Sequence, residues 1–261
     1  MTERKIRIGI QVQPQHARYD KIRAAVTAIE DMGADIVFNW DHFYPLSGDP
    51  EGLHYECWTM LAAWAEQTSR IEFGALVTCN SYRNPDLLAD MARTVDHISD
   101  GRLIFGIGSG WFEKDYANYG YDFGTAGGRL DALADALPRI ENRWSKLNPA
   151  PVRPIPVMIG GGGEKKTLRL VARHASIWHS FSDIDTFTRK SAVLADWCAQ
   201  ESTDFDAIER SVDGGSTKAG SSEIEAYVDA GARLITLSTG GPDYDLSAIQ
   251  DWIDWRDRRN G

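Results

Sequence analysis

The sequence predicts a (β/α)8 barrel, on three observations. Eight short runs rich in Ile, Val and Phe recur along the 261 residues, each is followed by a helical candidate, and the total is close to the roughly 250 residues typical of that fold. The runs are 6–12, 35–39, 71–77, 103–107, 155–160, 176–181, 209–213 and 233–238. After the first, Ile22, Ala25, Val26, Ile29 and Met32 fall at helical spacing, and Gly33 ends the pattern. After the third, Asn84 caps and Pro85 opens a helix carrying Leu87, Leu88, Met91, Val95 and Ile98. Pro138 is expected to kink or restart the helical stretch that follows the fourth run. Pro149, Pro151, Pro154 and Pro156 make 145–156 a rigid connection. Ser222 to Glu225 has the spacing of a capping box, and Ile249, Trp252 and Ile253 mark the last apolar stripe. A doubly wound sheet is the competing fold, but no GxGxxG follows Ile6-Arg7-Ile8-Gly9-Ile10. No composition break divides the chain, so a single domain over 1–261 is expected.

Composition narrows the function classes. With 43% hydrophobic and 25% charged residues the chain reads as an ordinary soluble globular protein. A net charge of −10 argues against nucleic acid as a partner, because phosphate backbones call for a basic surface. No stretch approaches the roughly 18 apolar residues that span a bilayer, and Met1 to Ile6 carry no apolar signal segment, so no membrane partner and a cytoplasmic location are expected. Cys57, Cys79 and Cys198 lie far apart without metal-type spacing, which fits reduced thiols and no metal site.

The most suggestive motif is the run Gly160, Gly161, Gly162 and Gly163, between Ile155-Pro156-Val157-Met158-Ile159 and Glu164-Lys165-Lys166-Thr167-Leu168. Where a strand ends in glycines and a helix begins, backbone N–H groups and the positive helix end attract an anion such as a phosphate. In a barrel, ligands gather at the carboxyl ends of strands. The second run ends in Asn39-Trp40-Asp41-His42, the third passes through Leu76-Val77-Thr78-Cys79-Asn80, and the fourth ends in Gly108-Ser109-Gly110-Trp111-Phe112. Asp41 and His42 are the leading polar candidates, since an imidazole near its ordinary pKa exchanges protons at neutral pH.

Together these stretches, with Thr68 to Gly74, Tyr82-Arg83-Asn84-Pro85 and Ser99-Asp100-Gly101-Arg102-Leu103, resemble the luciferase-like flavin and deazaflavin oxidoreductases, especially the branch using coenzyme F420. The resemblance implies a bulge near the end of the third strand with a non-prolyl cis peptide at Leu76-Val77. It also implies that Leu76, Val77 and Thr78 back one face of a deazaflavin ring, that Asp41 and the Gly108-Ser109 turn border the cofactor, and that Gly160 to Gly163 hold its phosphate. It makes His42 the proton-transfer group. Relatives that oxidise sugar phosphates carry a glutamate where this chain has Trp111, whose indole N–H can only donate, so that activity is disfavoured. The short passage from Trp144 to Ile155 implies a short lid between the fourth helix and fifth strand and an open pocket lined by Trp40, Tyr82, Trp111, Phe112, Trp178 and His179. Arg83, Lys114, Lys165 and Lys166 are candidates for the oligoglutamate tail of F420. The expected function is an F420-dependent oxidoreductase, a homodimer acting on a small organic substrate. The alternatives are an FMN-dependent monooxygenase fed by a separate reductase, a non-catalytic cofactor-binding protein, and a metal-dependent hydrolase using His16, Asp41, His42 and His179.

Overall fold

The structure, a computed structural model, describes residues 5–261, so the reading of Met1 to Arg4 lies outside it. Parallel strands alternate with helices: β1 (Arg7–Val12), α1 (Tyr19–Met32), β2 (Ile36–Asn39), α2 (Cys57–Gln67), β3 (Glu72–Ala75), β4 (Thr78–Cys79), α3 (Pro85–Ile98), β5 (Leu103–Gly108), α4 (Glu113–Tyr119), α5 (Ala126–Trp144), β6 (Val157–Gly160), α6 (Thr167–His174), β7 (Ile177–Ser180), α7 (Ile184–Glu201), β8 (Glu209–Asp213), α8 (Ser222–Asp229), β9 (Ala232–Thr239) and α9 (Ile249–Asn260). The sheet runs β3-β2-β1-β9-β8-β7-β6-β5-β4 and closes because β3 also pairs with β5. This is the eight-position (β/α)8 barrel, with β3 and β4 as two halves of the third position.

The split of that strand can be read from the register. Gly74 pairs with Ile104, and Thr78 pairs with Ile107, so four steps along one strand match three on β5. The extra residue is a bulge, and Leu76-Val77, as expected, is a cis peptide. The bulge's backbone is tied down by Leu76 N–H donating to Asn39 O at 2.8 Å and by Gln11 Nε2 donating to Leu76 O at 3.1 Å.

Alternation of side chains sorts the core into two layers. Ile36, Phe38, Ile104, Met158, Ile177 and Leu234 pack inside the barrel with Leu76. Val37, Phe73, Phe105, Ile159, Trp178 and Ile235 face outward and pack with the helices. At the upper end the inner layer loses its side chains. A Cβ on Gly108 would lie 2.8 Å from Val77 Cγ2, and one on Gly160 would lie 3.3 Å from Val77 Cγ1. One on Gly106 would run into the Ala75 carbonyl. Glycines on β5 and β6 therefore leave the space into which the bulge enters.

Several local expectations shift. Asn84 caps α3 as expected, accepting from the N–H of Asp86 and Leu87. Leu87 and Ile98, however, are exposed rather than in the core. The cap of α8 is Ser221, one residue before the expected Ser222, and its hydroxyl accepts from Ile224 N–H. Pro138 sits inside α5 without ending it. The connection 145–156, expected as a short lid, runs past the amino ends of the strands, opposite the glycine loop. There Arg153 reaches Glu72 (2.6 Å), which also binds Arg7 (2.5 Å), and Val152 N–H donates to Asp96. A chain entering β6 must approach that end, so a lid has to come from the strand-to-helix loops instead.

Candidate active site

A cleft of about 480 Å³ opens at the carboxyl ends of the strands, floored by Leu76, Val77 and Thr78 and bordered by Asp41, His42, Gly108, Ser109, Gly160 and Gly161. Cys79, Tyr82, Gly110, Trp111 and Phe181 complete its wall. Eleven of the sequence candidates thus come together from four strand ends: His42, Asp41, Leu76, Val77, Thr78, Tyr82, Gly108, Ser109, Trp111, Gly160 and Gly161. Cys79, Gly110 and Phe181 were not anticipated.

His42 is held by an interaction that the sequence did not reveal. Its Nδ1 lies 2.8 Å from Asp115 Oδ2, and the Asp115 side chain is fully buried in the first turn of α4. The same oxygen accepts from Tyr82 OH at 3.0 Å, while Oδ1 accepts from Phe43 N–H at 3.2 Å. A carboxylate can only accept here, so Nδ1 carries the proton and Nε2 is the ring nitrogen left for the cleft. Trp111 and Phe112 stand edge-on to the imidazole, with ring centroids at 5.6 and 5.4 Å. Burial, with the neighbouring Asp115 charge contributing, raises the Tyr82 phenol above its ordinary range, so Tyr82 acts as a hydrogen-bond donor and not as a base. Glu113, the acid nearest to Trp111 in sequence, is exposed, and it is Asp115 that reaches the histidine.

Asp41 borders the cleft but is largely committed to the protein. Arg83 Nη1 donates to Oδ2 at 2.6 Å and Nη2 to Oδ1 at 3.0 Å, and Cys79 N–H adds a bond to Oδ2 at 3.0 Å. Complete burial pushes the Asp41 carboxyl up, against the opposing pull of the guanidinium. Oδ1 accepts one bond among the described residues and keeps one lone pair, while the side chain is fully buried. Arg83 also binds Glu56 at 2.5 Å and is nearly buried, so it is a structural cation and not the free partner expected for an acidic tail. Lys114 pairs with Glu51 and Lys166 with Asp131.

Four expected pocket residues do not line the cleft: Phe112 stands against His42, His179 is fully buried on β7, and Trp178 and Trp40 are turned into the protein. Trp178 is fully buried on the outer face of β7, stacked on Phe187 at 5.6 Å, and its Nε1 donates to Gly161 O at 2.7 Å. On β7 it is Ile177 and His179 that face inward, so the intervening Trp178 must face the helices. Trp40 is buried behind His42, and its Nε1 donates to His54 Nε2 at 3.0 Å. That bond needs His54 neutral, and burial, with repulsion from His42, lowers its pKa to about 4.

In the glycine loop, Gly160 and Gly161 line the cleft while Gly162 and Gly163 turn toward Lys190 and Thr167. Gly161 adopts φ 118°, a region that side chains rarely enter, and its N–H is taken by His179 O at 3.1 Å. The N–H groups from Gly162 to Thr167 precede the bond from Leu168 N–H to Gly163 O (3.0 Å), at the start of α6, where helix geometry leaves N–H groups without helical partners. Lys190, on α7, brings its ammonium to Gly162, and no sequence signal marked it. Thr78 Oγ1, on the cleft floor, is buried without a partner among the described residues. His16, which binds Ser47 O, and His179, which binds Ser211 Oγ, are engaged away from the Asp41-His42 pair, so the four residues weighed for a metal do not converge.

The profile of the luciferase-like monooxygenase family matches residues 5–237. The chain is 31% identical over 163 residues to an F420-dependent glucose-6-phosphate dehydrogenase of Amycolatopsis mediterranei, covering 55% of this chain and 48% of the relative. It is 28% identical over 188 residues to an F420-dependent hydroxymycolic acid dehydrogenase of Mycobacterium tuberculosis, covering 66% and 51%. The alignments thus span about half the length of these curated relatives. Among solved structures, an F420-dependent secondary alcohol dehydrogenase in complex with an F420-acetone adduct superposes with a TM-score of 0.86 over 97% of this chain and 99% of that one. At 16% identity, that likeness speaks for the fold. The family profile spans all but the last helix, and the bulged barrel agrees with it: the chain belongs to the luciferase-like monooxygenase family.

Proposed function

We propose that this chain is an F420-dependent oxidoreductase that moves a hydride between a deazaflavin and a small organic substrate. The observation that carries the reading is the imidazole of His42, oriented by Asp115, beside a cleft whose floor is the Leu76-Val77 bulge and whose far wall is the glycine loop. The residues fit the cofactor. Leu76, Val77 and Thr78 would back the ring, the unpartnered Thr78 Oγ1 and the remaining lone pair of Asp41 would meet its polar edge, and the start of α6 with Lys190 would hold its phosphate. When bound, the deazaflavin supplies the carbon that gives or takes the hydride. His42 does the proton work: Nε2 gives a proton to the substrate oxygen in reduction or takes it in oxidation, while Asp115 keeps Nδ1 protonated. Trp40, Trp111 and Phe112 shield the imidazole from bulk water.

Fluorescence and absorbance titration of the purified protein with F420 and with FMN tests the reading. Micromolar binding of F420 supports it, tighter binding of FMN favours a monooxygenase supplied by a reductase, and binding of neither overturns it. The built His42-Asp115 pair speaks against a role in cofactor storage alone.

We further infer that the chain works as a homodimer of single-domain subunits in the cytoplasm, apart from nucleic acid. Support comes from an exposed apolar groove between α2 and α3, lined by Trp58, Ala62, Leu87, Met91 and Ile98, and from three buried cysteines outside any disulfide. Among the described residues, no helix is long and apolar enough to cross a membrane. Sedimentation of wild type against Leu87→Lys tests the dimer.

A further inference from the structure

The cleft leaves two large aromatic side chains in water. Trp111 is 63% exposed and Phe181 is 67% exposed, although the other tryptophans are buried or half-buried. Trp111 follows β5 and Phe181 follows β7, so they flank the glycine loop that follows β6, and both line the cleft. Trp111 also touches the edge of His42, which places it beside the atom that exchanges the proton. Phe181 is propped edge-on against His179, at 4.4 Å. Exposed aromatics with one supported side offer flat contact area, and covering them is favourable.

The charges near the cleft point the same way. The described residues lining it include no Lys, Arg or Glu, and Asp41, its carboxylate, is bound by Arg83. Two cations nearby are engaged, while Lys165, beside the glycine loop, is exposed. Lys114 binds Glu51 and lies 4.2 Å from the Tyr44 ring centroid, and Arg129 donates to the carbonyls of Gly110 and Phe123. Lys190 stands behind Gly162, on the side assigned to the cofactor phosphate. A phosphate or carboxylate on a substrate lying on Trp111 would be desolvated with no Lys or Arg among the described residues that line the cleft.

We propose that the substrate is a neutral molecule with a flat, apolar ring system, an aryl ketone or the matching secondary alcohol, which lies on Trp111 with its reacting carbon toward His42 and its far edge toward Phe181. In the reducing direction the carbonyl carbon would gain the hydride of the reduced deazaflavin, and the oxygen would gain a proton from Nε2 of the doubly protonated His42 ring, which is left as the Nδ1–H tautomer held by Asp115. The products are the secondary alcohol and the oxidised cofactor, and oxidation moves the same atoms back. The proposal rests on the oxidoreductase reading above.

The test separates the two. Wild type, Trp111→Ala, Trp111→Phe and Phe181→Ala are first titrated with F420 by fluorescence, and the loaded proteins are then titrated calorimetrically with 2-acetonaphthone and with glucose 6-phosphate. The ketone should saturate the wild type, bind about tenfold or more weakly to Trp111→Ala and Phe181→Ala, and recover most of its affinity in Trp111→Phe, a loss of about 1.4 kcal/mol or more. Glucose 6-phosphate should give no saturable heat. Unchanged ketone affinity in both alanine variants, no ketone binding to loaded wild type, or tighter binding of the sugar phosphate each overturns the substrate proposal alone. Failure of F420 to bind removes the oxidoreductase reading and the substrate proposal with it.

Discussion

His179 offers the most quantitative test of the barrel interior. Its ring is fully buried, Nδ1 meets Ser211 Oγ at 2.8 Å, and Nε2 has no partner among the described residues. Burial alone lowers its pKa to about 3. In the unfolded chain a histidine titrates near 6.5, so the unfolded state binds a proton that the folded state refuses. The sign follows: stability is level above about pH 6.5 and falls as the pH drops from there toward 3, by about 1.4 kcal/mol per unit once well below 6.5. Between pH 7 and pH 5 the loss from this one group comes to about 2 kcal/mol. Replacing it by His179→Gln removes the titration, whatever the substitution itself costs. Urea unfolding followed by tryptophan fluorescence at pH 7, 6 and 5 should show the wild type losing about 2 kcal/mol more than the variant over that range. His54, with a pKa of about 4, adds a similar slope to both proteins and cancels in the comparison. Parallel curves would refute the argument, since they would mean that folded His179 accepts a proton above pH 5.

Four further perturbations address the site. Asp115→Asn presents an amide that can donate to Nδ1 and reverse the tautomer, so turnover should fall by about a hundredfold or more while F420 affinity stays within about twofold; nitrogen NMR of the His42 ring reads the tautomer directly, and Asp115→Glu should restore part of the rate. His42→Ala should bind F420 and turn over slowly, whereas Gly161→Val, forced to φ 118°, should weaken F420 binding by about tenfold or more; equal binding losses in the two variants would contradict this division of labour. Arg83→Ala strands the buried Asp41 carboxylate, and denaturation should register a loss of about 3–5 kcal/mol.

Much of the fold was legible because β-branched runs and helix stops are local signals. Asn84-Pro85 predicts a helix start from chemistry contained in two residues, and the α3 cap forms there. Side-chain parity was harder to read. All four residues of Ile177-Trp178-His179-Ser180 are buried, because a parallel barrel strand has protein on both faces, so alternation of polarity could not say which way Trp178 points. The third run read as one strand from 71 to 77, but the observed strand stops at Ala75. Its bulge shows in the register with β5, a property of two segments rather than one. The same limit hid Asp115, which lies 73 residues from His42 and meets it only when α4 folds over the second strand's end. Exposure of Leu87 and Ile98, placed at core spacing by periodicity, reflects a helix with a second apolar flank beside α2.

The glycines on β5 and β6 act as a mould whose shape is taken up by Val77. Any methyl group added at Gly106 or Gly108 would press upward on the floor of the cleft rather than fill a gap, so these positions are unsuitable for tuning selectivity. Trp111 and Phe181, which border water, can be exchanged without disturbing that mould. A programme to redirect the site therefore has a fixed half and a variable half, and the dividing line runs along the barrel's upper rim.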